Sequence, residues 1–187
     1  MSFSISTIIE KIKIKFSSFY KVENDFVPIE VYSPFDGIVV DQKEIPDEGF
    51  SEGYMGVGVG LKPREDGSVV SPLNGNLEVL FKTQHAYIIR EHKHKIAVML
   101  HLGVNTVNIS LDKKAFFTEL VQGQDVIAKQ DLCVMNLDVI REHATSDISA
   151  LLVQNENMEG KIVKIHKKVG EEIKKGELLL TILKSSN

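Results

Sequence analysis

The 187-residue chain, 43% hydrophobic and 26% charged, has enough apolar material for one ordinary globular core. No apolar run approaches the roughly 18–20 residues that span a bilayer, and the N-terminus lacks the continuous apolar stretch of a secretory signal, so a cytoplasmic protein is expected. Net charge is −4, but residues 1–21 set Lys11, Lys13, Lys15 and Lys21 against Glu10, leaving −7 on the remainder; that acidic body disfavours nucleic acid and suits a basic protein partner.

The pattern divides the chain into a basic amphipathic tail, residues 1–27, and one domain, residues 28–187. In the tail, Ile5, Ile8, Ile9, Ile12, Phe16 and Phe19 fall at helical spacing with lysines between and beside them. Ile12, Ile14 and Phe16 also alternate with lysine, so a short strand stays open. Such a segment, residues 1–21 above all, suits weak contact with an anionic membrane surface, or packing on the body. From Pro28 onward, short apolar runs such as Gly37–Val40, Val57–Leu61, Ala86–Ile89 and Ile96–Leu100 are broken by Gly, Pro, Asn and Asp. They predict an all-β protein, an antiparallel sandwich or barrel with short helical pieces only. Gly56, Gly58 and Gly60 are wrongly spaced for a dinucleotide loop and read as a crowded or bulged strand. Asp138 to Leu152 carries the one helical hint. The single cysteine, Cys133, sits among Leu132, Val134 and Met135 with nothing basic beside it, which reads as a buried structural thiol in a reducing compartment.

Two internal echoes suggest a duplicated motif. Ser33-Pro34-Phe35-Asp36-Gly37 returns 38 residues later as Ser71-Pro72-Leu73-Asn74-Gly75. Gly123-Gln124-Asp125-Val126 with Lys129-Gln130-Asp131-Leu132 resembles Gly170-Glu171-Glu172-Ile173 with Lys175-Gly176-Glu177-Leu178. A repeated unit packs against its copy to close one core.

Thr83 to Val107 holds the chemistry. Two apolar strands flank the charged turn Arg90 to Lys95 and predict a hairpin, with His85 and His101 at its outer ends. Antiparallel pairing sets them nearly opposite, at cross-strand Cβ distances of roughly 4.5–5.5 Å, so they could share a small anion or a metal. A pair of unrelated histidines, one a satisfied core residue, is the other reading. Neutral imidazole, with an unperturbed pKa near ~6.5, offers a nucleophilic nitrogen at cellular pH, while a second histidine and a hydroxyl can donate to phosphoryl oxygens.

His101-Leu102-Gly103-Val104-Asn105-Thr106-Val107, preceded by Val98-Met99-Leu100, resembles the active-site signature of the glucose-type IIA components of the bacterial phosphoenolpyruvate-dependent sugar phosphotransferase system. Ser33-Pro34-x-x-Gly37, Gly58-x-Gly60-x-x-Pro63, Ser71-Pro72-x-x-Gly75 and Thr83-x-His85-Ala86 agree, as does the closing Gly170 to Ile182 region, so that the resemblance covers about residues 28–184. It implies a β-sandwich built on a duplicated motif. It also implies phosphorylation of His101 through Nε2, with Nδ1 held by the Gly103 carbonyl, and stabilisation of the phosphoryl group by His85, supported by Thr83. The implied donor is the phosphocarrier protein HPr, and the acceptor is a cysteine on the IIB domain of a membrane IIBC permease. The chain is then a reversible phosphotransferase relay that requires no cofactor, with zinc possible between His85 and His101.

The sequence departs from the pattern at Asn105, where aspartate is usual, and at Lys95, where a turn glycine is common. His92 and His94 have no counterpart in the family. Three rivals are weaker. A zinc metallopeptidase lacks a histidine upstream of His85 to complete its ligands. A biotinyl or lipoyl carrier, suggested by Met158 to Val163 and Val169 to Gly176, lacks the modified lysine between hydrophobic residues. A regulatory IIA-like protein that binds partners without carrying phosphate differs only in activity.

Overall fold

The structure, a computed structural model, describes residues 26–186; the amphipathic tail lies outside the described residues except for Phe26 and Val27. Short runs of β-branched and apolar residues, each stopped by a turn, form strands paired antiparallel throughout. Strands β1 (Ile29–Tyr32), β2 (Gly37–Val40), β3 (Val57–Pro63), β4 (Gly67–Val70), β5 (Gly75–Leu80), β6 (Ala86–Arg90) and β7 (Ala97–His101) occupy the first half. The two-residue β8 (Phe116–Phe117) and β9 (Asp125–Val126) follow, then β10 (Asp131–Met135), β11 (Ser149–Val153), β12 (Lys161–Ile165), β13 (Glu172–Ile173) and β14 (Leu178–Lys184). An eight-stranded sheet runs β13-β2-β3-β11-β7-β6-β5-β9, and two three-stranded sheets run β1-β14-β12 and β4-β10-β8.

The centre of the large sheet is β7 beside β11, apolar strands buried on both faces. On one face Leu100, Leu151 and Leu180 join Phe35, Leu61, Leu73 and Leu77 in the main core. On the other, Met99, Ala150 and Leu152 pack with Ile45, Phe50 and Val104 in a smaller cluster that ends at the site. Each fully buried large apolar side chain contributes about 1.5–3 kcal/mol, so the hairpin carrying the histidines is anchored deep in the molecule.

Helical structure is short. α1 (Glu48–Ser51) starts at Asp47, whose Oδ1 accepts from the Phe50 amide at 3.3 Å. α2 (Leu137–His143) starts at Asn136, whose Oδ1 accepts from the Val139 amide at 3.2 Å, and buries Leu137 and Ile140 one turn apart. The helical expectation for Asp138 to Leu152 holds only to His143. Ser149 to Leu152 are instead the central strand β11, because a fully apolar stretch with a partner strand on either side satisfies its backbone in the sheet. Gly58 shows why β3 is glycine-rich: an added Cβ would lie 2.0 Å from the Leu151 carbonyl oxygen. The pairing of β3 with β11 keeps an unbroken register, so the strand is crowded and not bulged.

The duplication is present down to single hydrogen bonds. Ser33 Oγ donates to Phe35 O and Ser71 Oγ to Leu73 O, both at 2.8 Å. The two halves exchange reciprocal bonds, Tyr32 N to Pro72 O and Val70 N to Pro34 O, each 2.8 Å. β1 pairs with β14 as β4 pairs with β10, with a register shift at the same place in both. Gly170 and Gly123 occupy equivalent turns, their amides donating to Val39 O and Leu77 O at 2.8 Å. The strand order of the large sheet reads the same from either end under this exchange, which places a pseudo-two-fold axis between β7 and β11.

Candidate active site

β6 and β7 bring the two histidines together as the hairpin spacing predicts. Ala86 is the register partner of His101, and the Leu102 amide donates to His85 O at 2.8 Å. The imidazole centroids are 4.7 Å apart and near perpendicular, at 79°. His101 Nδ1 lies 2.8 Å from Gly103 O. A carbonyl only accepts, so Nδ1 carries the proton and Nε2 keeps its lone pair. Thr83 Oγ1 lies 2.6 Å from His85 Nδ1. Each ring is thus held by one nitrogen, and Nε2 is left over on both.

Gly103 can hold His101 because of its backbone. Its φ is +68°, and a Cβ there would lie 2.7 Å from Thr106 Cγ2 and 2.9 Å from Ser146 O. The Gly103 amide donates to Ser149 Oγ at 3.2 Å, and Thr106 Oγ1 donates to Leu102 O at 2.8 Å, so the loop after β7 is tied to β11 and to itself. Asn105 is also left-handed, with φ 62°, and its Nδ2 donates to Thr145 Oγ1 at 2.7 Å. Asparagine and aspartate both tolerate that conformation, so the backbone gives no reason for the departure at this position.

Burial governs the electrostatics. His85 is 2% exposed, and desolvation, assisted by the neighbouring His101, pushes its pKa down to about 4. Desolvation lowers His101 as well, opposed by its bond to Gly103 O and by the negative charge of Asp47. Both rings are neutral near pH 7, so one offers a lone pair and the other a neutral N–H.

An apolar depression of about 280 Å³ opens beside His101, lined by Phe50, Met55, Phe81, Met99 and Asp47 among others. Phe50 packs tilted against His101 at 4.9 Å between centroids, and Phe81 meets His85 edge-on at 5.4 Å. Sequence reasoning singled out none of Asp47, Phe50 or Phe81. The cap signature Asp47-x-x-Phe50 was the available signal, but it marks a helix start and says nothing of His101. His92 and His94 sit at the turn end of the hairpin, about 15 Å of strand away from the pair. Among the described residues, no group of three or more His, Cys, Asp or Glu side chains is placed to hold a metal ion. None of the helices described is long and apolar enough to cross a membrane. Cys133 is buried, its thiol pushed up to about 12 by desolvation.

The family model for the phosphoenolpyruvate-dependent sugar phosphotransferase system, EIIA 1, matches residues 29–158. The chain belongs to this family. As a IIA-family chain it is a phosphotransferase component of a sugar transport system. It is 32% identical over 141 residues to the glucose-specific EIIA component of Oceanobacillus iheyensis, covering 75% of this chain and 83% of that protein. Two Staphylococcus carnosus proteins, the glucose-specific and glucoside-specific EIICBA components, are 38% and 36% identical over 152 and 125 residues, or 81% and 67% of this chain. This chain spans only 21% and 18% of their length. The solved glucose permease IIA from Mycoplasma capricolum superimposes with a TM-score of 0.73 at 30% identity, covering 83% of this chain and 96% of that one. The expected antiparallel IIA sandwich is therefore the fold observed.

Proposed function

We propose that the chain is a phosphoryl relay, accepting phosphate from HPr on His101 Nε2 and passing it to a cysteine of a IIB domain. The observation that carries this reading is the pair of held imidazoles, with His101 Nδ1 bonded to Gly103 O and His85 centred 4.7 Å away. In the first half-reaction, the Nε2 lone pair of His101 attacks phosphorus, and the bond from phosphorus to the HPr nitrogen breaks with its electron pair leaving on HPr. In the second, a IIB thiolate attacks and the electron pair of the P–Nε2 bond returns to His101. His85 is neutral, so it can help only as an N–H donor. In this reading the Thr83 hydroxyl, 2.6 Å from His85 Nδ1, donates to it, so that the ring proton sits on Nε2, where it meets a phosphoryl oxygen. No step draws on a metal: His85 and His101 supply two nitrogens, about half of a usual zinc ligand set.

The rim suits protein docking. Phe81 is 46% and Met55 42% exposed, an apolar surface next to the nucleophile, with the Asp47 carboxylate beside it for a basic partner. A IIB partner agrees with the EIICBA relatives, whose names join a IIA segment to IIB and IIC. The test is intact mass after incubation with phosphoenolpyruvate, enzyme I and HPr. One acid-labile, alkali-stable phosphoryl group is expected on the full chain and none on His101→Ala. Phosphate on His101→Ala refutes the site; none on a folded wild-type chain leaves a regulatory binding protein.

A further inference from the structure

We propose that a groove at the turn end of the β6–β7 hairpin is the seat of the chain's own N-terminal segment, residues 1–25, docked through its lysines and its apolar stripe. The groove holds about 440 Å³ and is lined by Val27, Pro28, Glu30, Glu91, His94 and Ala128 among others. That volume falls in the roughly 300–1,000 Å³ range of pockets that take up a ligand or side chains.

The pseudo-two-fold axis supplies a built-in comparison. The groove's mate is a cleft of about 120 Å³ lined by Phe35, Asp36, Gly67, Ser68 and Lys175. There the Lys175 amide donates to Asp36 Oδ1 at 2.6 Å and its ammonium to Ser68 Oγ at 2.7 Å. In the groove, the residue equivalent to Lys175 is Ala128, whose amide donates to Asn74 Oδ1 at 2.8 Å in the same way. The side chain that fills the cleft is thus replaced by a methyl group. At the ammonium end, the place of Ser68 is taken by Glu30, a carboxylate. One copy of the motif provides its own lysine; the other presents the space and a negative charge for a lysine from elsewhere. His94 Nε2, on the groove wall, is buried with no hydrogen-bond partner among the described residues.

The nearest source is the chain itself. Val27 and Pro28 already line the groove, so the described residues begin at its rim. Lys11, Lys13 and Lys15 alternate with Ile12, Ile14 and Phe16, matching the carboxylates of Glu30 and Glu91 and the exposed side chain of Val27 on the groove wall. Phe26 shows the mode at the junction, its ring 4.4 Å from that of His94 and beneath the Lys161 ammonium at 5.5 Å. A short tether raises the effective concentration to about the millimolar range, enough for modest contacts to hold the segment.

Disulfide trapping in the full-length protein tests the proposal, because the one native thiol, Cys133, is buried. Ala128→Cys is combined with a cysteine at each position from Lys11 to Lys21 in turn, and dilute, lipid-free protein is oxidised and read by non-reducing mass. At least one pair is expected to close within the monomer in about ten-fold higher yield than the same positions paired with Met55→Cys at the histidine end. Glu30→Lys should lower that yield about five-fold, as loss of one partly screened ion pair does. Equal yields at the two ends overturn the proposal. So do disulfides formed only between chains, which assign the groove to a second copy, or closure seen at no position while the segment binds anionic vesicles. Thermal transitions at or near the wild-type temperature show that each variant is folded.

Discussion

At His85, two roles meet in one ring: a buried neutral base in the folding equilibrium and, in the proposed relay, a hydrogen-bond donor. Its pKa of about 4 lies below the ordinary histidine value. As pH falls below ~6.5 the unfolded chain takes up the proton first, so stability falls from there down to about pH 4. The full shift corresponds to about 3 kcal/mol. His101, also lowered, adds to the loss in the same direction. His85→Gln should therefore flatten the pH dependence of the urea midpoint between pH 6.5 and 4, and an unchanged slope would show that burial of this imidazole costs nothing. In the relay, His85→Gln should still be phosphorylated by HPr on His101. Onward transfer to IIB should slow by ~10²–10³, the usual cost of losing a donor to developing charge. Wild-type rates in both half-reactions would remove His85 from the mechanism.

The β6–β7 hairpin was legible because its information is local. Two apolar runs, a charged turn and the 16-residue separation of His85 and His101 set the register, and Ala86 does pair with His101. Phe50 was not legible: it reaches His101 across the sheet from a remote part of the sequence, through a contact that periodicity does not encode. The helical hint past His143 failed for a related reason, since an apolar run without flanking context suits a buried strand as well as a helix. The turn itself carries a cost. Lys95 has φ 58°, a left-handed conformation that favours glycine, while its carbonyl accepts from Arg90 Nη1 at 2.6 Å and Asn157 Nδ2 at 3.0 Å. Those carbonyl bonds do not depend on the side chain. Lys95→Gly should therefore raise stability by about 0.5–1 kcal/mol in chemical denaturation, and a lower midpoint would mean that the lysine side chain contributes more than the strain removes.

Across the whole molecule, the duplicated sequence motifs were visible, but the axis relating them was not, because the repeated pieces are separated by different lengths of chain. Only the pairings reveal that β6 is the mate of β3 and β7 the mate of β11. Under that exchange Ala86 opposite His101 becomes Gly58 opposite Leu152, so the positions of His85 and His101 fall on Val57 and Leu152. Neither side chain has a nitrogen, and Leu152 is fully buried. The scaffold is two-fold, but the imidazole pair occurs once. With phosphoenolpyruvate, enzyme I and HPr in excess, loading should plateau at one phosphoryl group per polypeptide however long the donors are regenerated. A second equivalent in the mass spectrum would mean that another histidine competes, and that the broken symmetry does not set the stoichiometry.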